Sequence, residues 1–145
     1  MGRTSTYLNF SNQTEEAFNY YKSIFGGEFL GNGISRFGDI PKMEGAPELP
    51  EEIKKLVMHV ELEILGGHYL MGTDAPDQMD FRISMGNNVY IMLQPDTREE
   101  TKSLFDKLSD GGKIEQELQE MFWGDYYGSC KDKFGVHWMF ACSAK

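Results

Sequence analysis

Cysteine is scarce in this chain, present only as Cys130 and Cys142. Two thiols without a secretion signal imply reduced cysteines and an expected cytoplasmic location, with a disulfide between neighbouring strands as the minor alternative. Neither thiol has a CxxC partner, which removes a structural zinc site. Basic residues are also few: 14 Lys and Arg stand against 23 Asp and Glu, for a net charge of -9. No basic run exceeds a pair such as Lys54-Lys55, so nucleic acid and anionic membrane surfaces are excluded as partners. No apolar stretch approaches the roughly 20 residues of a membrane span. Met1-Gly2-Arg3-Thr4-Ser5-Thr6 lacks the apolar core of a signal peptide. The chain also has no phosphate-cradling glycine loop and no recognisable setting for a serine nucleophile.

What is present is enough for a core, with 40% hydrophobic and 13% aromatic residues in 145. Tyr7-Leu8-Asn9-Phe10 alternates as a short strand, with Leu8 and Phe10 on one face and Tyr7 and Asn9 on the other. Thr14 or Asn12 is placed to cap the following helix, whose apolar side is Ala17, Phe18, Tyr21, Ile24 and Phe25. Gly26-Gly27 ends it. A glycine-broken strand is expected from Glu28 to Phe37. Gly38 to Glu52 is polar and Pro-rich, a long loop and a candidate lid. From Lys55 to Leu65 strand alternation returns, with Met58, Val60, Leu62 and Ile64 opposed to His59, Glu61 and Glu63. Gly66-Gly67 turns the chain into the strand from His68 to Gly72, and residues 77–87 form a linker.

The pattern then restarts. Asn88 to Gln94 reads as a strand, Pro95-Asp96-Thr97 as turn and cap, and Arg98 to Leu108 as a helix with Leu104, Phe105 and Leu108 inward. Gly111-Gly112 stops it, and Lys113 to Leu118 is the next strand. Tyr7 maps near Tyr90, Glu15-Glu16 onto Glu99-Glu100 and Gly26-Gly27 onto Gly111-Gly112, a repeat offset by about 84 residues. Two βαβββ modules, about 1–76 and 86–145, fill a single 1–145 domain. Each sheet has one face for its helix, so two of them side by side would enclose a cleft between their other faces.

Gln119 to Gly128 is unusually dense in aromatics, glycine and carboxylates, and Asp132 to Met139 continues it. Trp123-Gly124, Tyr127-Gly128 and Phe134-Gly135 punctuate strand, turn and strand. After the last turn His137, Met139 and Ala141 point one way and Val136, Trp138 and Phe140 the other. Such aromatics either fill a core or wall a ligand cavity, and both readings stand at this point.

Tyr7-Leu8-Asn9-Phe10, Glu16-Ala17, Tyr20-Tyr21-Lys22, Phe25-Gly26-Gly27, Met58-His59-Val60, Leu70-Met71-Gly72-Thr73-Asp74, Phe122-Trp123-Gly124, Tyr127-Gly128 and Asp132 to Trp138 occur in the order of one family. On them the chain resembles the PhnB-like branch of the glyoxalase/bleomycin resistance/dioxygenase group, the vicinal oxygen chelate superfamily. The resemblance implies an α+β fold in which two βαβββ modules pair into an open barrel around a cleft. It also implies a homodimer. Members of that branch often carry a demethylubiquinone methyltransferase label. The sequence does not support that activity, because Gly26-Gly27 and Gly111-Gly112 end helices where a methyl-donor turn would start one.

Metal enzymes of the superfamily place ligands at four strand positions. Here these fall at Tyr7 or Asn9, at Asn88 or Tyr90, at Met139, and near His68 or Asp74. Asparagine, tyrosine and methionine are poor donors for zinc, nickel or manganese, so no metal ligand and no cofactor is expected. The expected partner is a small organic molecule, and the ligand-binding candidates are Tyr7, Asn9, Tyr90, Trp123, Tyr126 and Met139. His59, His137 and Glu61 are the candidate acid-base groups. The alternatives are a metal-dependent glyoxalase- or dioxygenase-type enzyme and a resistance protein that sequesters a drug.

Overall fold

The computed structural model describes residues 2–145. Two compact units divide the chain, one ending at Ser84 and the other starting at Met85, within the expected linker. In the first unit β1 (Thr6–Phe10) leads into α1 (Thr14–Phe25). After it come β2 (Ser35–Arg36), the single-turn helix α2 (Glu51–Lys54), β3 (Val57–Glu63) and β4 (Tyr69–Asp74). The sheet order is β1-β4-β3-β2, with β1 parallel to β4 and β3 antiparallel to it. Helix α1 lies against β3 and β4. It buries Ala17, Phe18 and Tyr21 on Val60, Leu62 and Leu70, as the alternation on both elements requires.

The second unit repeats the plan. β5 (Ile91–Leu93) is followed by α3 (Arg98–Ser109), β6 (Lys113–Glu120), β7 (Tyr126–Lys131) and β8 (His137–Cys142). Its order is β5-β8-β7-β6, again with one parallel pair, β5 with β8. Leu104, Phe105 and Leu108 of α3 are buried with Cys130, Trp138 and Phe140. The fold is therefore α+β, two mixed four-stranded sheets each carrying one long helix.

Three expectations change. The strand expected from Glu28 to Phe37 survives only as Ser35–Arg36. Gly31 and Gly33 take positive φ, and of this segment Leu30 gives β3 one hydrogen bond, to Glu61 O. The strand expected from Asn88 shrinks to Ile91–Leu93, because its parallel partner β8 begins only at His137. Finally, neither Thr14 nor Asn12 caps α1 with its side chain. Asp74, at the far end of β4, accepts from Thr14 N (3.0 Å) and Thr14 Oγ1 (2.7 Å) with one oxygen and from Val57 N (2.8 Å) with the other. That buried carboxylate ties the helix start, β3 and β4 together across 60 residues of sequence. In α3 the expected cap holds, with Thr97 Oγ1 accepting from Glu100 N at 3.1 Å.

Candidate ligand-binding face

Each sheet has a helix face and a face turned away from its helix, and strand parity assigns the candidates. In the first unit Tyr7 pairs with Met71 and Met71 with Glu61, while Asn9 pairs with Thr73. All stand on the face away from α1, because the alternating residues Leu70 and Gly72 meet the helix. Tyr7 Oη lies 3.1 Å from His59 Nδ1, and burial pushes the Tyr7 phenol pKa up. Glu61 is paired with Arg3 at 2.8 Å, and that guanidinium also covers the Tyr69 ring. His59 and Glu61 thus take different partners. His68 Nε2 is 2.8 Å from Thr6 Oγ1.

The second unit gathers a tighter set. Trp138 and Phe140 are buried under α3, which places His137, Met139 and Ala141 on the opposite face. His137 is only 9% exposed and packs against Tyr90, with ring centroids 4.8 Å apart. Glu115 joins both: Tyr90 Oη donates to Glu115 Oε1 at 2.9 Å, and His137 Nδ1 lies 3.4 Å from the carboxylate. Donation to Glu115 chiefly, then burial and the carboxylate charge, raise the Tyr90 pKa, so the phenol keeps its proton. The group offers a hydroxyl, a carboxylate and an imidazole in one cluster, beside the apolar Met139 and Met92, which pair across β8 and β5.

Trp123 is half-exposed in the β6–β7 turn, donates from Nε1 to Asp125 Oδ2 (3.2 Å), and is 6.3 Å in ring centroid from Tyr127. Tyr126 is on the other side. It pairs with Cys142, and the Arg98 guanidinium at the start of α3 lies 5.0 Å from its ring. Tyr127 shares the His137 face, pairing with Ala141. Sequence reasoning missed Tyr127 and Glu115. The alternation after Trp123-Gly124 carried the signal for the first. Glu115 sits where the β6–β7 register slips between Ile114 and Gln116, which periodicity does not show.

The core reading holds for part of the aromatic stretch only. Trp138 and Phe140 are core, whereas Phe122 is 97% exposed. Both cysteines are free and buried. They lie on adjacent strands, with Cys130 opposite Trp138 and Cys142 opposite Tyr126. Burial pushes the Cys130 thiol up to about 12, so it stays protonated and is a poor nucleophile. Its stabilising effect is complete below the ordinary thiol pKa of about 8.5 and is lost as pH rises from there towards the folded value.

Donor chemistry at the superfamily's metal positions is poor. Asp74 spends both carboxylate oxygens on Thr14 and Val57, and Met139 offers only a thioether. Among the described residues no group of three His, Cys, Asp or Glu side chains is placed to hold a metal ion. Also among the described residues, no helix is long and apolar enough to cross a membrane.

Two strand–helix–three-strand units with parallel outer pairs define the class: this is the glyoxalase/bleomycin resistance fold. A glyoxylase/bleomycin resistance protein/dioxygenase domain from Frankia sp. EAN1pec shares it, with a TM-score of 0.63 over 99% of this chain and 98% of that one at 10% identity. The chain belongs to the family described as 3-demethylubiquinone-9 3-methyltransferase, which matches residues 3–141. It is 34% identical to Protein YjdN of Escherichia coli K12 over 140 residues, 93% of this chain and 91% of that protein. The crystal structure of protein PA1353 from Pseudomonas aeruginosa covers the whole of both chains at 29% identity and a TM-score of 0.83. A putative 3-demethylubiquinone-9 3-methyltransferase, PhnB protein, from Bacillus cereus matches at 26% identity and 0.73, over 97% and 99% of the two chains. The chain is thus PhnB-like within the vicinal oxygen chelate fold.

Proposed function

We propose that this PhnB-like protein binds a small organic molecule on the helix-free face of its second sheet, without a metal ion. The observation that carries the reading is the Tyr90–Glu115–His137 cluster beside Met139. A few converging polar groups next to apolar and aromatic side chains is the usual make-up of a small-molecule site. The donor set supports the metal-free part, since Asp74, the one carboxylate among the expected positions, is committed to backbone and hydroxyl donors. The methyl transfer named in the family's description has no support in the local geometry. The turns from β1 to α1 and from β5 to α3 contain no glycine, where a methyl-donor site normally needs a close backbone approach. A reducing, cytoplasmic setting fits the two free buried thiols. A homodimer fits the edge strands of the two sheets, β1 and β2 in one and β5 and β6 in the other.

The test is a titration of the full chain with a library of small aromatic and apolar molecules, followed by NMR. Shifts are expected at Tyr90, Glu115, His137 and Met139, and His137→Ala should weaken binding of the best ligand by about tenfold, the effect of one lost charge-assisted contact. Shifts confined to the segment 38–50, or an affinity indifferent to His137→Ala, would sink the assignment.

A further inference from the structure

The row that contains His137 continues across the sheet with two lysines. His137 pairs with Lys131, and Lys131 pairs with Lys113, so three basic side chains stand side by side on β8, β7 and β6. All three stand on the face away from α3, and Tyr90 extends the row beyond His137. Like charges directly opposite on neighbouring strands destabilise a sheet. Carboxylates normally relieve such a row. Here the nearest one, Glu115, is engaged by Tyr90 and His137. Asp132, beside the row, is buried and accepts from Phe134 N, Val136 N and Trp138 Nε1. Among the described residues neither Lys113 nor Lys131 has a carboxylate within ion-pair distance. This happens in a chain whose net charge is -9.

Two features make the row a place as well as a pattern. Lys113, Lys131, Glu115 and His137 line one open depression, with Gly86 and Asn87 also in its lining. The lysines are also held in register by a backbone contact that tolerates only glycine. A Cβ added at Gly112 would stand 2.1 Å from the Lys131 carbonyl oxygen.

We propose that Lys113 and Lys131, with the imidazole of His137, hold the anionic head of the ligand, a carboxylate or phosphate-type oxyanion. The inference rests on the small-molecule reading of this face and names the ligand's charge. The ammonium groups supply charge and donors from one side, and His137 a ring N–H from the other. The apolar part of the ligand then lies towards Met139 and Tyr127, which stand on the same face.

The experiment is calorimetry on the full chain with phenyl phosphate, benzoate, inorganic phosphate and benzyl alcohol. The variants are Lys113→Gln/Lys131→Gln and, as a control of equal charge change, Lys42→Gln/Lys107→Gln. Phenyl phosphate or benzoate should bind at least about tenfold more tightly than benzyl alcohol, and the first double variant should erase that difference while the control keeps it. Whichever of the two acids binds more tightly identifies the head group. Equal binding of benzyl alcohol, or equal losses in both double variants, overturns the anion site and leaves the small-molecule reading standing. Inorganic phosphate binding as tightly as phenyl phosphate keeps the anion site and removes the organic-ligand reading. No binding by any probe overturns both.

Discussion

Asp132→Ala should lower the stability of the second unit by about 4 kcal/mol. The Asp132 side chain is buried, and its Oδ1 accepts from Phe134 N (2.9 Å) and Val136 N (3.0 Å) while Oδ2 accepts from Trp138 Nε1 (2.9 Å). Alanine leaves all three donors without that acceptor at a site of little solvent access, and each such loss costs about 1–3 kcal/mol. Local relaxation recovers part of the sum, hence about 4. The same carboxylate shapes the turn from β7 to β8, in which Gly135 takes a φ of 94°. The turn in turn sets His137 opposite Lys131. Asp132→Asn should be milder, because the amide oxygen still accepts from the turn while its NH2 group opposes the indole N–H. Urea unfolding of the three proteins decides the matter. A loss under about 1 kcal/mol for Asp132→Ala would mean that the carboxylate is not what holds this turn.

Gly72→Val is expected to be nearly as damaging, at about 3–4 kcal/mol, by a different mechanism. Helix α1 meets β4 at Gly72, where an added Cβ would lie 2.4 Å from Phe18 Cε1 and 3.1 Å from Thr14 Cγ2. Phe18 is fully buried, so its ring can retreat only by displacing other core side chains. Any side chain at 72 therefore lifts the helix from the sheet or distorts the strand, and overpacking of this kind costs about 1–3 kcal/mol even for one or two methyl groups. Thr14 is also the residue that Asp74 caps, so the displacement strains that carboxylate's bonds as well. The clash gives the prediction a control. Phe18→Leu should be destabilising alone but should recover part of the loss when combined with Gly72→Ala. Strictly additive losses in that pair would show that Phe18 and residue 72 do not share the space.

Which parts of this molecule could be read from its residues follows from the range of the interactions involved. The faces of β1, β3 and β8 were legible, because period-two alternation depends only on neighbours in sequence. Val60, Leu62 and Trp138 are buried, while Tyr7 and Met139 remain on the other face. The repeat was legible for the same reason, since each module carries its own helix, its own double glycine and its own strands. The cap of α1 was not, because Asp74 reaches Thr14 from 60 residues away. The segment 28–34 looked like a strand by composition but takes positive φ at Gly31 and Gly33 and pairs too little to form one. At the site, His137, Tyr90 and Met139 share a sheet face as their spacing implied. Tyr126 and Tyr127 show how narrow the margin is: one step along a strand reverses the face, and the turn of Met121 to Asp125 sets that step. Glu115, which joins Tyr90 to His137, needed the β6–β7 bulge to come within reach.

A ligand face that works without a metal ion makes metal content the decisive measurement. Protein purified without chelators, then incubated with zinc, nickel and manganese and desalted, should carry well under one ion per chain by mass spectrometry. Its ligand binding should be the same before and after incubation. A stoichiometry near one transition metal per chain, lost together with ligand binding on adding a chelator, would overturn the metal-free face. It would make the Tyr90–Glu115–His137 cluster part of a metal centre of glyoxalase type.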